Sequence, residues 1–466
     1  MERRIHRIVV EGLFGRLDHE IVARSDEPTI LTAPNGAGKT HVLMLVHAAL
    51  GLKLQILMSL PFSKLILTLS DKTGLRVIRK TDADSEARLF FSALKAGKGV
   101  GKEVTVSSSY LEQSASTGRH SIIQLPNGQW YDRSIDRQIP RALIERRYPD
   151  LLRGAQREIF KGADEILSAC REPAPILIDT KRLDVPSIPM GTRFTADDAR
   201  VSGADPTSGR SATRIVQYIR ELESQVADAR RNSVQATQSA DLSFAARALA
   251  AASETVKEEP LHARYDEIVR RYEELARNSL AVGEAPLEFP DKTTPTVRRI
   301  LNVFLDDWEK RLEPLLPLNE KIRTLRAILD SKLVQSGKKT FMSPRGAMGF
   351  RTFDDRPIRV ASLSSGEQHL VALFTMLLFS AGPGSVVLID EPEISFHAAW
   401  KHAFLDDISS VARLMDLQII IATHSSSIIN GRWDLTEELR FAQETHLNDA
   451  LPPLEADELE ADDLLD

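Results

Sequence analysis

The chain has 466 residues, of which 42% are hydrophobic, 27% charged and 6% aromatic. That excludes a single short module and a disordered polymer, and leaves two or three domains or one large domain carrying an insertion. Sixty Lys and Arg against 66 Asp and Glu give a net charge of −6, but the charge is unevenly spread.

The first 200 residues hold 30 basic and 24 acidic side chains, whereas Leu454 to Asp466 hold seven acids and no base. Without those last 13 residues the net charge is +1, and a near-neutral body argues against non-specific DNA affinity as the main role. The single cysteine, Cys170, excludes an intrachain disulfide and a cysteine zinc cluster and points to a reducing, cytoplasmic compartment. The start MERRIHRIVVEG lacks the apolar core of a signal peptide. The run from Val42 to Phe62 is interrupted by His47, Lys53 and Gln55, and Leu370 to Phe379 is too short to span a bilayer. No membrane partner is expected.

In chain order, IHRIVV (residues 5–10) reads as a strand. Residues 28–32 read as a second that runs into a glycine-rich turn and then a helix from His41 to Leu52. Two hairpins follow: KLILTLS and LRVIRK about the turn DKTG, then SIIQL and QWYDRSI about a turn containing Asn127-Gly128. Residues 136–172 read as helical, Ile176 to Ile178 as a short buried strand, and 186–209 as a loop. From Arg210 to Glu259 there is no Gly or Pro, and Ile215, Ile219, Leu222, Val226 and Ala229 follow the 4-3-4-3 spacing of a heptad seam. The spacing predicts one long helix with a coiled-coil start. The seam resumes after Pro260 as Leu261, Tyr265, Ile268, Tyr272 and Leu275. Each seam covers two heptads, which favours bundle packing within the chain over an intermolecular coiled coil. A helical stretch from Thr296 to Ser336, broken at Pro314 to Pro317, leads back to β-like sequence at Thr340.

The chemistry resides in four short segments. Residues 33–40, APNGAGKT, depart from the phosphate-loop pattern only at the first position, where Ala33 replaces Gly. Asn35, Gly36, Ala37 and Gly38 would form a loop whose backbone N–H groups surround a β-phosphate at a helix N-terminus. Lys39 would pair with the β- and γ-phosphates, and the Thr40 hydroxyl would reach Mg²⁺. Residues 386–391, VVLIDE, form a buried strand that delivers two carboxylates to its C-terminal edge. Asp390 would hold the Mg²⁺ shell and Glu391 would deprotonate the attacking water. Residues 363–368 read LSSGEQ, and 418–425, QIIIATHS, form another apolar strand ending in Thr423, His424 and Ser425.

The order of these segments, with helices between the first and the rest, resembles the ABC-type ATPase head shared by SMC and RecF proteins. The resemblance covers residues 1 to about 60 and 340 to 430. It implies an α/β fold with a mixed sheet, ATP and Mg²⁺ as cofactors, and ATP sandwiched between two heads. By position, the signature residues Ser364, Ser365, Gly366 and Glu367 would cap the nucleotide of the opposite protomer, and His424 would sense the γ-phosphate in its own. Ser365 stands where the family often has Gly. The family's glutamine loop has no clear counterpart: ILIDTKRL presents Lys181 and Arg182, and Gln113 is the other candidate. Glu393 and His397, in the stretch after the acidic pair, have no assigned role.

The implied organisation is an N-terminal lobe (1–209), a helical insertion (210–337), a C-terminal lobe (338–450) and an acidic tail (451–466). The insertion is too short for the long-armed repair ATPases, and transporter ATPases lack one of this kind. The chain is most similar to ATPases of antiphage defence systems. In overcoming-lysogenization-defect proteins a Toprim nuclease follows the ATPase, but only 41 residues follow Ser425. The ATPase subunit of PARIS systems, AriA, is the nearer resemblance. It implies a homo-oligomer that holds a separate Toprim effector nuclease and senses a phage-encoded trigger protein. The alternative is a RecF-like DNA-repair ATPase that clamps duplex DNA, for which Arg137, Arg141, Arg146, Arg147, Arg153 and Arg157 would form the basic track. The acidic tail reads as a solvated strip able to dock a basic partner.

Overall fold

The computed structural model describes residues 3–81, 86–108, 122–124, 130–132, 137–139, 159–170, 174–179, 212–251 and 255–439, apart from 282 and 287. The segment 186–209, the tail, Gln113, Lys181, Arg182 and residues 140–158 of the arginine cluster lie outside these.

Strands β1 (Ile5–Leu13), β2 (Leu17–Val22), β4 (Lys64–Leu69), β5 (Thr73–Thr81), β6 (Ala87–Lys95) and β7 (Lys98–Ser107) form an antiparallel sheet in the order β2-β1-β4-β5-β6-β7. The β4–β5 hairpin closes where the Asp71 carboxylate accepts the Thr73 N–H at 2.9 Å, an Asx turn that makes DKTG legible in sequence. The β6–β7 hairpin was not anticipated. Its two turn residues, Ala96 and Gly97, both take positive φ (49° and 79°), and Ala is an unusual occupant of a position that favours Asn or Gly. Strands β8 (Ile122–Gln124) and β9 (Trp130–Asp132) pair antiparallel, while Asn127 and Gly128, where the second hairpin turn was expected, lie outside the described residues. The helical expectation for 136–172 is corrected at its start. Residues Arg137–Ile139 are β10, an antiparallel partner of β9, because cross-strand pairing overrides local helix preference. Further on, α3 (Asp164–Ala169) is helical.

The second sheet positions the chemistry. Strands β3 (Thr29–Thr32), β11 (Ile176–Asp179), β15 (Val386–Asp390), β16 (Gln418–Ala422) and β17 (Thr436–Glu438) run parallel in the order β11-β15-β16-β3-β17. Strands from both ends of the chain thus join one sheet. Period-2 alternation divides it: Leu31, Val386, Leu388, Ile420 and Ala422 face one core, and Ile30, Val387, Ile389, Ile419 and Ile421 face the other. The first core holds helix α1 (Lys39–Leu50), α2 (Leu54–Ser59) and the antiparallel sheet. The second holds α8 (Ser365–Phe379), α9 (Ala398–Met415) and the helical insertion. Buried Gln418 links the two sheets. Its amide accepts from the Ile5 N–H at 2.7 Å and donates to Ile5 O and Arg24 O at 2.6 and 2.9 Å.

The insertion comprises α4 (Ala212–Ala250), α5 (Glu258–Arg277), α6 (Pro295–Leu312) and α7 (Leu316–Leu333). Both predicted seams pack within the chain. Ile215, Ile219, Leu222, Val226 and Ala229 are buried in the core shared with α8, and Leu261, Ile268 and Leu275 are buried with Tyr265 and Tyr272 half-buried beside them. The predicted 50-residue helix is shorter than expected. It ends at Ala250, and Leu242 and Leu249 near that end are 92% and 76% exposed. Pro260 sits in the first turn of α5 rather than breaking a helix, since its missing N–H would have no partner there.

Two strands, β12 (Lys338–Met342) and β13 (Met348–Thr352), with β14 (Pro357–Ile358), form a small antiparallel sheet leading to α8. Between α7 and α9, Lys332 and Asp407 form a nearly buried ion pair. Burial pushes the Asp407 carboxyl above its usual range, against the pull of Lys332. Burial pushes the Cys170 thiol up to about 12, which disfavours the nucleophilic thiolate. Among the described residues no helix is long and apolar enough to cross a membrane.

Leu222 is fully buried on α4. Leu222→Ala should lower the free energy of unfolding by about 2–5 kcal/mol, measured as a lower urea midpoint with an unchanged slope.

Candidate functional site

The C-terminal edge of the parallel sheet gathers three of the four predicted segments. Ala422 is level with Leu31 on one side and Asp390 on the other. Beyond the last pairs, the Thr423 N–H donates to Leu31 O at 3.1 Å and the Glu391 N–H to Ala422 O at 2.8 Å. The phosphate loop, the acidic pair and His424 therefore emerge at one level.

In the loop, Gly36 and Gly38 take φ of 86° and 88°, the left-handed region that side chains with a Cβ avoid. A Cβ on Gly38 would lie 2.6 Å from Leu13 Cδ2. Asn35 and Gly36 are exposed at the rim, while Ala37 is buried. Ala37 O lies 2.9 Å from Nε2 of His19, whose pKa burial lowers. Lys39 is 6% exposed, and its ammonium donates to Ala33 O at 2.7 Å. Thr40 is half-buried in the first turn of α1. Positive-φ glycines, an N-terminal helix turn and an inward lysine fit a polyphosphate.

Asp390 is 8% exposed. Glu391 follows it with φ 45° and ψ 59°, a left-handed conformation costing about 1–2 kcal/mol for a non-glycine residue. That twist sets the carboxylate beside the neighbouring strand's loop, with Glu391 Oε1 3.4 Å from His424 Nδ1. The His424 ring is half exposed. Among the described residues no group of three or more His, Cys, Asp or Glu is gathered as a metal cluster. The oxygen donors Thr40 and Asp390 nonetheless fit Mg²⁺, which commonly takes one or two protein ligands and completes its shell with phosphate oxygens and water.

Glu393, left without a role by sequence, is 4% exposed. Its Oε1 accepts from Thr423 Oγ1 at 2.6 Å and from the His424 N–H at 3.3 Å, and lies 3.5 Å from His424 Nδ1. It fixes the turn that presents His424. Its second oxygen is buried with no hydrogen-bond partner among the described residues. The only sequence signal is a Glu two residues beyond the acidic pair. His397 caps α9, its Nδ1 accepting the Ala399 N–H at 3.4 Å. Asp179 of β11, also unassigned by sequence, is level with Asp390 in the strand register.

The signature lies elsewhere. Ser364 is the N-cap of α8 and forms a capping box with Glu367. Ser364 and Ser365 are exposed, Gly366 is half-buried and Glu367 is 2% exposed. The Glu367 carboxylate accepts from Lys338 at 2.7 Å, Ser336 Oγ at 2.7 Å and the Ser364 N–H at 2.7 Å. Burial opposes its ionisation, but these donors outweigh burial and hold the carboxyl below its usual range. Glu367 is thus occupied in shaping the turn. Helices α1 and α8 pack against opposite faces of the sheet, so Ser364 is not built into the phosphate-loop face.

A family model described as "AAA domain, putative AbiEii toxin, Type IV TA system" matches residues 29–430. No curated protein matches the chain. Among solved structures, the chain is similar to the Smc head domain with an extended coiled coil from Pyrococcus furiosus, bound to the C-terminal domain of ScpA. Identity is 12%, with 96% of this chain and 98% of that chain covered and a TM-score of 0.35. It is also similar to the SMC head domain from Thermotoga maritima, at 10% identity, 93% and 92% coverage and a TM-score of 0.30.

Gly38→Val combines backbone strain with the Leu13 contact. It should weaken binding of a fluorescent ATP analogue by at least about tenfold, and Gly36→Ala, whose Cβ meets open space, should weaken it less.

Proposed function

The chain belongs to this family of AAA domains, and from that premise we propose that it binds and hydrolyses ATP at the edge of its parallel sheet. The observation that carries the reading is the convergence of Lys39, Asp390, Glu391 and His424 on one sheet edge, fixed by the register of three adjacent strands. The loop N–H groups and Lys39 bind the phosphates. Thr40 and Asp390 hold Mg²⁺, which when bound neutralises phosphate charge. Glu391 takes the proton of the attacking water, and His424, beside it, contacts the γ-phosphate. Glu393 holds the His424 turn in place.

Two heads pair around ATP in this proposal, each lending Ser364, Ser365 and Gly366 to the other's nucleotide. The packing of α1 and α8 on opposite sheet faces supports this, because the exposed serines are left to meet another molecule. The resulting homo-oligomer is a sensor and scaffold of an antiphage system that restrains a separate Toprim-type nuclease until a phage-encoded protein is met. The family description, a toxin of a toxin–antitoxin system, supports a role in a multi-component inhibitory device. A net charge of +1 without the tail makes a DNA clamp the weaker reading.

Lys39→Ala should lower ATP affinity at least about tenfold, and Glu391→Gln should leave affinity intact while lowering kcat at least about 100-fold. Retained turnover in Glu391→Gln removes it as the base. Ser364→Arg should leave ATP binding to one chain intact but abolish ATP-dependent pairing in sedimentation velocity; full-rate hydrolysis by that variant contradicts the shared site.

A further inference from the structure

Where α5 and α7 meet strand β12, a solvent-open pocket of about 290 Å³ is lined by Glu274, Arg277, Asn278, Asn319, Arg323 and Arg326. Its polar groups are arranged by a chain of hydrogen bonds. Arg326 donates through Nη1 to Asn278 Oδ1 at 2.6 Å and through Nε to Thr340 Oγ1 on β12 at 3.3 Å. A guanidinium can only donate, so Asn278 must offer its oxygen to Arg326 and its amide N–H to Asn319. That second bond, Asn278 Nδ2 to Asn319 Oδ1, measures 2.7 Å. The amide Nδ2 of Asn319 is the donor that remains, with no partner among the described residues, on a side chain that is 5% exposed. That N–H is open to the pocket and available to a bound acceptor.

The charges have the same sense. The Arg277 side chain has no ion pair or hydrogen bond among the described residues, and Arg323 is held only by Glu320, which lies outside the lining. The one acid of the lining, Glu274, is already paired with Arg270 at 2.8 Å. Three guanidinium groups, one of them paired with Glu320, and an amide N–H thus face a space whose one lining carboxylate is paired with Arg270. We propose that this pocket binds a small phosphate-bearing anion. Forked donors from several directions match the oxygens of a multiply charged oxoanion, and the volume suits a phosphate with a body no larger than a nucleoside. The site is separate from the phosphate loop and stands whether or not that loop holds ATP.

The test uses the full chain carrying Lys39→Ala, so that the phosphate loop contributes equally in every arm, titrated calorimetrically with pyrophosphate and with AMP. At least one should bind with Kd below about 1 mM, and adding Arg277→Ala with Arg323→Ala should weaken it at least about tenfold. Tm should stay within about 2 °C, since both side chains lie on the exposed rim. Replacing the same two residues by Lys keeps the charge, safeguards folding and should weaken binding less. Tighter binding of AMP assigns a phosphate ester, and tighter binding of pyrophosphate assigns a free phosphate. Binding of neither anion, or equal binding by the doubly substituted chain, overturns the proposal.

Discussion

The hydrogen-bond ladder of β16 is the constraint on which the site depends. This strand lies between β3 and β15, and its register sets Ala422 level with both Leu31 and Asp390. The phosphate loop begins a residue or two past β3, the acidic pair ends β15, and the His424 turn leaves β16. Because parallel strands end on the same side of a sheet, groups far apart in sequence converge without any direct bond between them. A slip of one residue would move every apolar side chain of a strand to the opposite face. Burial on both faces therefore locks the register that chemistry requires.

The same alternation gives the molecule two cores with different tasks. One encloses α1, which is apolar nearly all round because the parallel sheet and the antiparallel sheet share its core. A phosphate-loop helix held in that way has little freedom to tilt. The other core carries α8, α9 and the insertion, so that the signature turn and the four inserted helices form one packed body. Glu367 joins these parts: its carboxylate caps α8 while binding Lys338 on the strand that follows the insertion. Ser336, at the end of the insertion, adds a hydrogen bond to the same carboxylate, so the inserted segment is tied to the signature by a polar link as well as by apolar contact.

Strain and burial concentrate at the sheet edge. Glu391 occupies a left-handed conformation, and Glu393 is buried with one oxygen unpaired among the described residues. Both run against local stability and persist because the flanking strands over-determine the backbone there. Such a pattern is expected where a carboxylate must be aimed rather than merely accommodated.

The sequence alone determined the elements whose physics is local. The glycines and lysine of APNGAGKT, the apolar strands ending in Asp-Glu and Thr-His, the Asx turn of DKTG and the two heptad seams each carry their own signal, because backbone conformation and periodicity act over a few residues. Tertiary structure alone decided the rest. Strand β10 depended on having β9 to pair with. The role of Glu393 depended on a loop 30 residues away, and the arginine-lined pocket on helices brought together by folding. In each case the deciding interaction joins residues remote in sequence, and its energy exists only once the chain has folded to bring them into contact.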